Sequence, residues 1–299
     1  MHAKTAMKSN ANLNRATSLL ACCLALLGSV FAEENPAELA TPRETTGESK
    51  WVANHYKRMM DLADKSPEKF KIVFVGDSIT KKWLDQSGSL WADNFGDENS
   101  PYYALNLGVP GDRTDHVLYR LKSKADGGMG NLDNPAIRPK VIVLMIGTNN
   151  LFPPHSAEQI AGGIEAVAKR LRELRPDAKL IICSVLPSNN PQNDKEQVQP
   201  ANATLPALAE SLEEDVQYLN LFPAFLDEEG KKKTDCYVDG LHLNEAGYAI
   251  WLRELLPLLR FPQLCAIRIR WCLLKRNLIF GTESPIHAEH PGKIQWKRI

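Results

Sequence analysis

Five short apolar runs mark the middle of the chain: KIVFVG (71–76), YYALNLG (102–108), KVIVLMIG (140–147), AKLIICSVL (178–186) and VQYLNL (216–221). They are rich in Val, Ile and Leu at consecutive rather than alternate positions, which predicts strands covered on both faces. Between them, helical periodicity predicts helices near 80–93, 113–123, 157–175, 197–214 and 245–259. Trp51 and HYKRMMDLADK predict one leading helix within 33–66. Ser156 and Gln159 have the spacing of a capping box at the start of the helix from Ala157. Strands alternating with helices imply an α/β fold of three layers, α/β/α, around a parallel sheet with right-handed crossovers. Ligands of such sheets bind beyond the C-terminal ends of the strands, so a functional side chain is expected directly after a strand.

The whole chain has 299 residues with 36 basic and 36 acidic side chains, but its ends differ from its middle. Residues 1–32 carry Lys4, Lys8 and Arg15 and no acid, then SLLACCLALLGSVFA, with Val30 and Ala32 where a signal peptidase reads. That is the layout of a secretory signal peptide, and the apolar run is short for a membrane span of about 20 residues. The alternatives are an uncleaved anchor or lipidation at Cys22 or Cys23, either of which would tie the protein to a membrane. From Pro262 onward, seven Lys/Arg face two Asp/Glu. This basic extension (262–299) is read as dispensable to the fold, in preference to a membrane-surface or partner-binding segment. The neutral balance of the whole chain argues against nucleic acid as the main partner, and residues 33–261, with 26 basic and 34 acidic residues, form an acidic core that suits solubility outside the cell. The expected organisation is a signal peptide (1–32), a lead segment (33–66), a core domain (67–261) and the extension, with a homodimer left open. Cys183 and Cys236 could bridge in an oxidising compartment, yet no cysteine has metal-ligand spacing, so no metal is expected.

Four polar clusters stand where a site is expected. GDS follows the first strand with Ser78, NLGVPGD the second with Gly108, IGTNN the third with Asn149, and DGLHLNEAGY precedes the last helix with Asp239 and His242. The chemistry these allow is acyl transfer. A serine hydroxyl becomes a nucleophile when an imidazole takes its proton, and the imidazole needs an acceptor on its other nitrogen. The tetrahedral intermediate then needs donors aimed at its oxyanion, for which the backbone N–H groups of Ser78 and Gly108 and the Asn149 amide are candidates. There is no G-x-S-x-G elbow, P-loop, HExxH or GxGxxG to compete.

Gly76-Asp77-Ser78, Gly108, Asn149 and Asp239-x-x-His242 together resemble the four signature blocks of the GDSL, or SGNH, hydrolase superfamily, over about residues 70–258. Within it, NLGVPGDRTDHVLYRL and PKVIVLMIGTNN look most like the catalytic subunits of platelet-activating factor acetylhydrolase. The resemblance implies a flavodoxin-like sheet of about five strands, no cofactor and a short acyl group, often acetyl. It makes Ser78 the nucleophile, His242 the base, Asp239 the third member of the triad, and Ser78, Gly108 and Asn149 the oxyanion hole. The expected substrate is an acyl ester of a carbohydrate or small polar molecule, with a phospholipid or lysophospholipid, or a non-catalytic binding role, as alternatives.

Plainer readings stand beside these. Ser78 suits a helix N-cap, His242 a surface histidine, Gly108 a turn, and Asn150 competes with Asn149 as the donor. Asp77 is read first as a loop brace, and Asp112 and Arg113 as caps of the next helix, each with a pocket-lining alternative. His55, His116, His155, His287 and His290 read as structural or solvent-facing, and Asn202-Ala203-Thr204 fits a glycosylation sequon.

Overall fold

The computed structural model describes residues 34–43, 49–152, 154–212 and 215–259, with backbone alone over 49–56. The expected signal peptide (1–32) with Cys22 and Cys23, the basic extension, His287, His290 and the His55 side chain lie outside the described residues. The chain divides into two units, Met1–Glu254 and Leu255–Ile299. Of the second, the described part is the last residue of a helix and a 3-10 turn, Leu256–Leu259. The sheet and the site belong to the first.

The five apolar runs form five parallel strands: β1 (Ile72–Gly76), β2 (Ala104–Gly108), β3 (Val141–Met145), β4 (Lys179–Cys183) and β5 (Val216–Leu219), ordered β2-β1-β3-β4-β5. This is the flavodoxin-like order, in which the chain switches direction across the sheet between β1 and β3 and opens a crevice there. Every residue of β1, β2 and β3 is buried, as the consecutive apolar positions predict. Gly76 pairs with Gly108 on one side and Met145 on the other, so the three strands end level and their loops leave one common edge.

The described α-helices of four residues or more are α1 (Ser49–Lys65), α2 (Ser78–Lys81), α3 (Trp83–Gln86), α4 (Leu90–Phe95), α5 (Thr114–Leu121), α6 (Ala157–Leu174), α7 (Gln199–Ser211) and α8 (Glu245–Leu255). Side chains alternate across the sheet. Val73, Val75, Leu105, Leu107, Ile142 and Leu144 join a core with residues of α1, α5, α6 and α7. Phe74 points the other way, 5.1 Å from the Phe95 ring and 6.2 Å from Trp83, which stands 4.7 Å from Tyr248 and 5.2 Å from Trp251. The two faces account for the three layers.

The Ser156–Gln159 capping box is present, with reciprocal bonds of 3.2 and 2.9 Å. The single helix expected over 80–93 is instead three short ones. Ser87 Oγ donates to the Trp83 carbonyl (2.6 Å) and accepts from Trp91 N–H (3.2 Å), so its side chain takes over backbone partners and ends the helix. Asn202 is buried and spans the Val185 N–H (2.8 Å) and carbonyl (2.9 Å), so the sequon's amide is spent inside the fold. Cys183 and Cys236 are separate buried thiols, both pushed up in pKa by burial.

Candidate functional site

Ser78 opens α2 but does not cap it. Asp77 is the cap: its Oδ1 accepts the Ile79 N–H at 2.8 Å, which leaves the Ser78 hydroxyl available. Asp77 is buried, and burial pushes its carboxyl up to about 7, opposed by the Ile79 bond and aided by neighbouring Asp112.

The partner group comes from the turn before α8. Asp239 Oδ1 accepts the backbone N–H groups of Leu241 (3.0 Å) and His242 (2.8 Å), and its Oδ2 accepts from His242 Nδ1 at 2.6 Å. Burial alone would raise the Asp239 carboxyl, but the His242 ring and the two backbone donors outweigh it and hold the group well below the usual carboxylate range. With its Nδ1 proton directed to Asp239, the ring offers Nε2 to Ser78 Oγ, 2.9 Å away. Lys232 secures this turn to the facing loop: Nζ donates to the Gly240 carbonyl, to Asn189 Oδ1 (3.0 Å) and to the Ser188 carbonyl (3.1 Å). As the middle of three consecutive lysines, Lys231 to Lys233, it carried no sequence signal of that role.

Asn149 lies on the 3-10 turn after β3, its Nδ2 donating to the Asp112 carbonyl (2.9 Å) and Asp77 Oδ2 (3.3 Å). Asn150 points into the interior, where its amide exchanges bonds with Thr114 N–H (3.1 Å) and Thr114 Oγ1 (2.9 Å). The neighbouring asparagines are thus separated, with Asn149 toward the crevice.

Gly108 is placed differently from expectation. It is buried at the end of β2, and its N–H donates to Asn106 Oδ1 (2.9 Å), while Asn106 Nδ2 holds the Thr80 carbonyl (2.8 Å). A Cβ at 108 would stand 2.4 Å from the Lys81 nitrogen, so the glycine serves the close approach of α2 to β2. The glycine in the crevice is Gly111, at φ +78°, a conformation that L side chains rarely adopt.

The other pocket candidates also turn inward. Asp112 is buried against Arg120 (2.6 Å), whose remaining donors reach the carbonyls of Leu107 (3.1 Å) and Gly76 (3.2 Å) and so tie the ends of β1 and β2. Burial raises the Asp112 carboxyl and the Arg120 charge opposes this. Arg113, at the start of α5, pairs with Asp115 at 2.7 Å. His116 accepts the Arg113 N–H through Nδ1 (3.1 Å), and burial lowers its pKa to about 4. His155 Nδ1 donates to the Asn150 carbonyl (3.0 Å). Asp77, Asp112, Arg113 and Asn150 therefore brace the site from behind and do not line it.

Ser78, Gly111, Asn149 and His242 share a cleft of about 620 Å³. Its remaining wall is Arg43, Lys81, Lys82, Asp85, Pro110 and Leu241. The family model of the GDSL-like lipases and acylhydrolases matches residues 74–250, from β1 through the Asp239–His242 turn into α8. The chain belongs to the GDSL-like lipase/acylhydrolase family. The alpha1 subunit of platelet-activating factor acetylhydrolase IB from Pongo abelii is 36% identical over 229 residues, covering 76% of this chain and 90% of the relative. The alpha2 subunit from Rattus norvegicus is 36% identical over 223 residues, covering 73% and 87%. In fold, the acylhydrolase is similar to a GDSL-like lipase from Bacteroides thetaiotaomicron, with a TM-score of 0.53, 19% identity, and coverage of 70% of this chain and 96% of that one. Family membership makes the protein a carboxylic ester hydrolase.

Proposed function

We propose that this acylhydrolase removes a short acyl group, acetyl first, from a carbohydrate or other small polar ester, and that it acts outside the cytoplasm after losing residues 1–32. The observation that carries the chemistry is the unbroken hydrogen-bond line from Asp239 through His242 to Ser78. Ser78 Oγ attacks the ester carbonyl as Nε2 of His242 takes its proton. Asp239 keeps the ring in the required tautomer and balances the imidazolium, which then returns the proton to the leaving alkoxide. Water, deprotonated by the same ring, hydrolyses the acyl-serine. The oxyanion is received by the backbone N–H groups of Ser78 and Gly111 and by the Asn149 amide. Gly111 takes the place first given to Gly108, whose N–H is already committed to Asn106. The Asp112 carbonyl orients Asn149, and the longer bond to Asp77 is the one the oxyanion displaces.

The cleft wall supports a short acyl group and a polar acceptor. Among the described residues, Pro110 and Leu241 are its only aliphatic side chains, so a long chain would forgo most of the roughly 0.8 kcal/mol gained per buried methylene. The identity to platelet-activating factor acetylhydrolase subunits favours a second acceptor, an acetylglycerophospholipid. A screen of 4-nitrophenyl esters from C2 to C12, run beside acetylated oligosaccharides and an acetylglycerophospholipid, tests both points. The expected result is a kcat/KM that is highest at C2, falls steeply beyond C4, and favours the saccharides. A rise toward C8 and beyond would overturn the short-acyl reading.

A further inference from the structure

Residues 34–43 lie ahead of the matched family region, yet the last of them, Arg43, lines its cleft. Asn35 Nδ2 donates to the Gln159 carbonyl (3.1 Å), Thr114 Oγ1 to the Ala37 carbonyl (2.8 Å), and Thr41 N–H to the Asp115 carbonyl (3.2 Å). The segment is thus a strap running from the first turn of α6 to that of α5. Its seat is Gly162-Gly163, a pair inside α6 where each glycine costs about 1 kcal/mol against alanine. A Cβ on Gly163 would stand 2.8 Å from the Ala37 carbonyl oxygen and 2.4 Å from Thr114 Oγ1, and one on Gly162 would stand 2.7 Å from Asn35 Nδ2. Side chains at these positions would therefore lift the strap.

The strap ends by delivering Arg43 to the cleft. Its Nη1 donates to the Pro110 carbonyl, and a Cβ on Gly111 would fall 2.4 Å from its Nη2, so the guanidinium lies directly over the glycine beside the nucleophile. Arg43 is 3.8 Å from Asp112, a carboxylate that Arg120 already holds at 2.6 Å. Within the cleft wall, Arg43, Lys81 and Lys82 face one acid, Asp85, which pairs with Lys81. The nearby Asp239 carboxylate is committed to the His242 ring. The mouth of the cleft therefore carries an excess of positive charge, with a forked donor suited to carboxylate or phosphate.

We propose that Arg43 is a specificity-determining residue that, with Lys81 and Lys82, selects acyl esters whose alcohol carries an anionic group, so that the strap is part of the substrate site. This rests on ester hydrolysis in the Ser78–His242 cleft. The test compares 4-acetoxybenzoate with its methyl ester on full-length protein. Wild-type kcat/KM is expected to favour the carboxylate, with an advantage that shrinks as salt rises. Arg43→Gln should lower that preference by about five- to tenfold, mainly through KM, and Arg43→Lys should restore part of it. Gly163→Val, which strikes the seat and no cleft residue, should lower it in the same way. Equal losses on both esters, or a preference unmoved by Arg43→Gln, overturn the proposal. An acetylated uronic acid and an acetylglycerophosphate distinguish a carboxylate acceptor from a phosphate one. An Arg43-dependent preference for either supports the site, and dependence for neither counts against it. Calorimetric binding of the two benzoates to Ser78→Ala protein reads the same selectivity without turnover. Selective binding in a protein whose wild type hydrolyses neither ester would sink the esterase reading and leave the anion site, while equal binding would sink the anion site.

Discussion

Asn149 and Asn150 are chemically identical and adjacent, yet their surroundings assign them opposite tasks. Asn149 holds its amide at the crevice through the Asp112 carbonyl, and Asn150 is locked to Thr114 in the interior. Asn149→Ala is expected to lower kcat by about 100- to 1,000-fold with little change in KM or Tm, as for loss of one oxyanion donor. Asn150→Ala should do the reverse, costing about 1 to 3 kcal/mol of stability because Thr114 N–H loses its acceptor, while kcat stays near wild type. Steady-state kinetics and thermal melts on the pair check both. Side-chain chemistry was legible in the sequence at this scale: Ser78, Asp239, His242 and Asn149 could be chosen because each bears a distinctive group after a strand or before a helix. Backbone donors were not. Every residue but proline has an N–H, so nothing in LGVPGD tells whether Gly108 or Gly111 turns its own toward substrate, and the strand-end glycine proved to be committed to packing and to Asn106.

At the scale of elements, the α/β alternation and the covered strands followed from the apolar runs, since strands buried on both faces leave a plain pattern. The broken helix at Ser87 and the strap over α6 were not legible. The first turns on one hydroxyl competing with the backbone, the second on contacts between residues more than a hundred positions apart. Two buried titratable groups at the starts of helices give opposite pH signatures. Asp77 has a folded pKa of about 7 against an ordinary 3.8, so the folded state holds its proton more tightly and stability falls as pH rises between those values. Relative to Asp77→Asn, which keeps the cap, the wild type should lose up to a few kcal/mol from pH 4 to pH 7. His116 has a folded pKa of about 4 against 6.5, so the unfolded chain binds the proton first and stability is lost as pH falls from 6.5 toward 4. Relative to His116→Gln, the wild type should weaken over that acidic window. Urea midpoints of the three proteins across pH 4 to 8 separate the two slopes. A common slope in all three would contradict both assignments.

For the whole molecule, an acidic body carries a cationic cleft mouth. Residues 33–261 bear 26 basic and 34 acidic side chains, while the cleft gathers Arg43, Lys81 and Lys82. Such an arrangement concentrates field at the cleft. If residues 1–32 are a signal peptide, the exported protein should begin at Glu33, as N-terminal sequencing would read. The family match ends at residue 250, so truncation after Arg260 should leave kcat/KM on 4-nitrophenyl acetate within about twofold of full length. A collapse of activity on truncation would make the basic extension part of the working enzyme. The central claim is that Ser78, through His242, performs the ester cleavage, and 4-nitrophenyl acetate turnover by Ser78→Ala protein, with its circular dichroism and melt matched to wild type, tests it most directly. The account predicts a fall of at least about a thousandfold, to near the rate without nucleophile. Turnover by the folded variant at a rate close to wild type would contradict it.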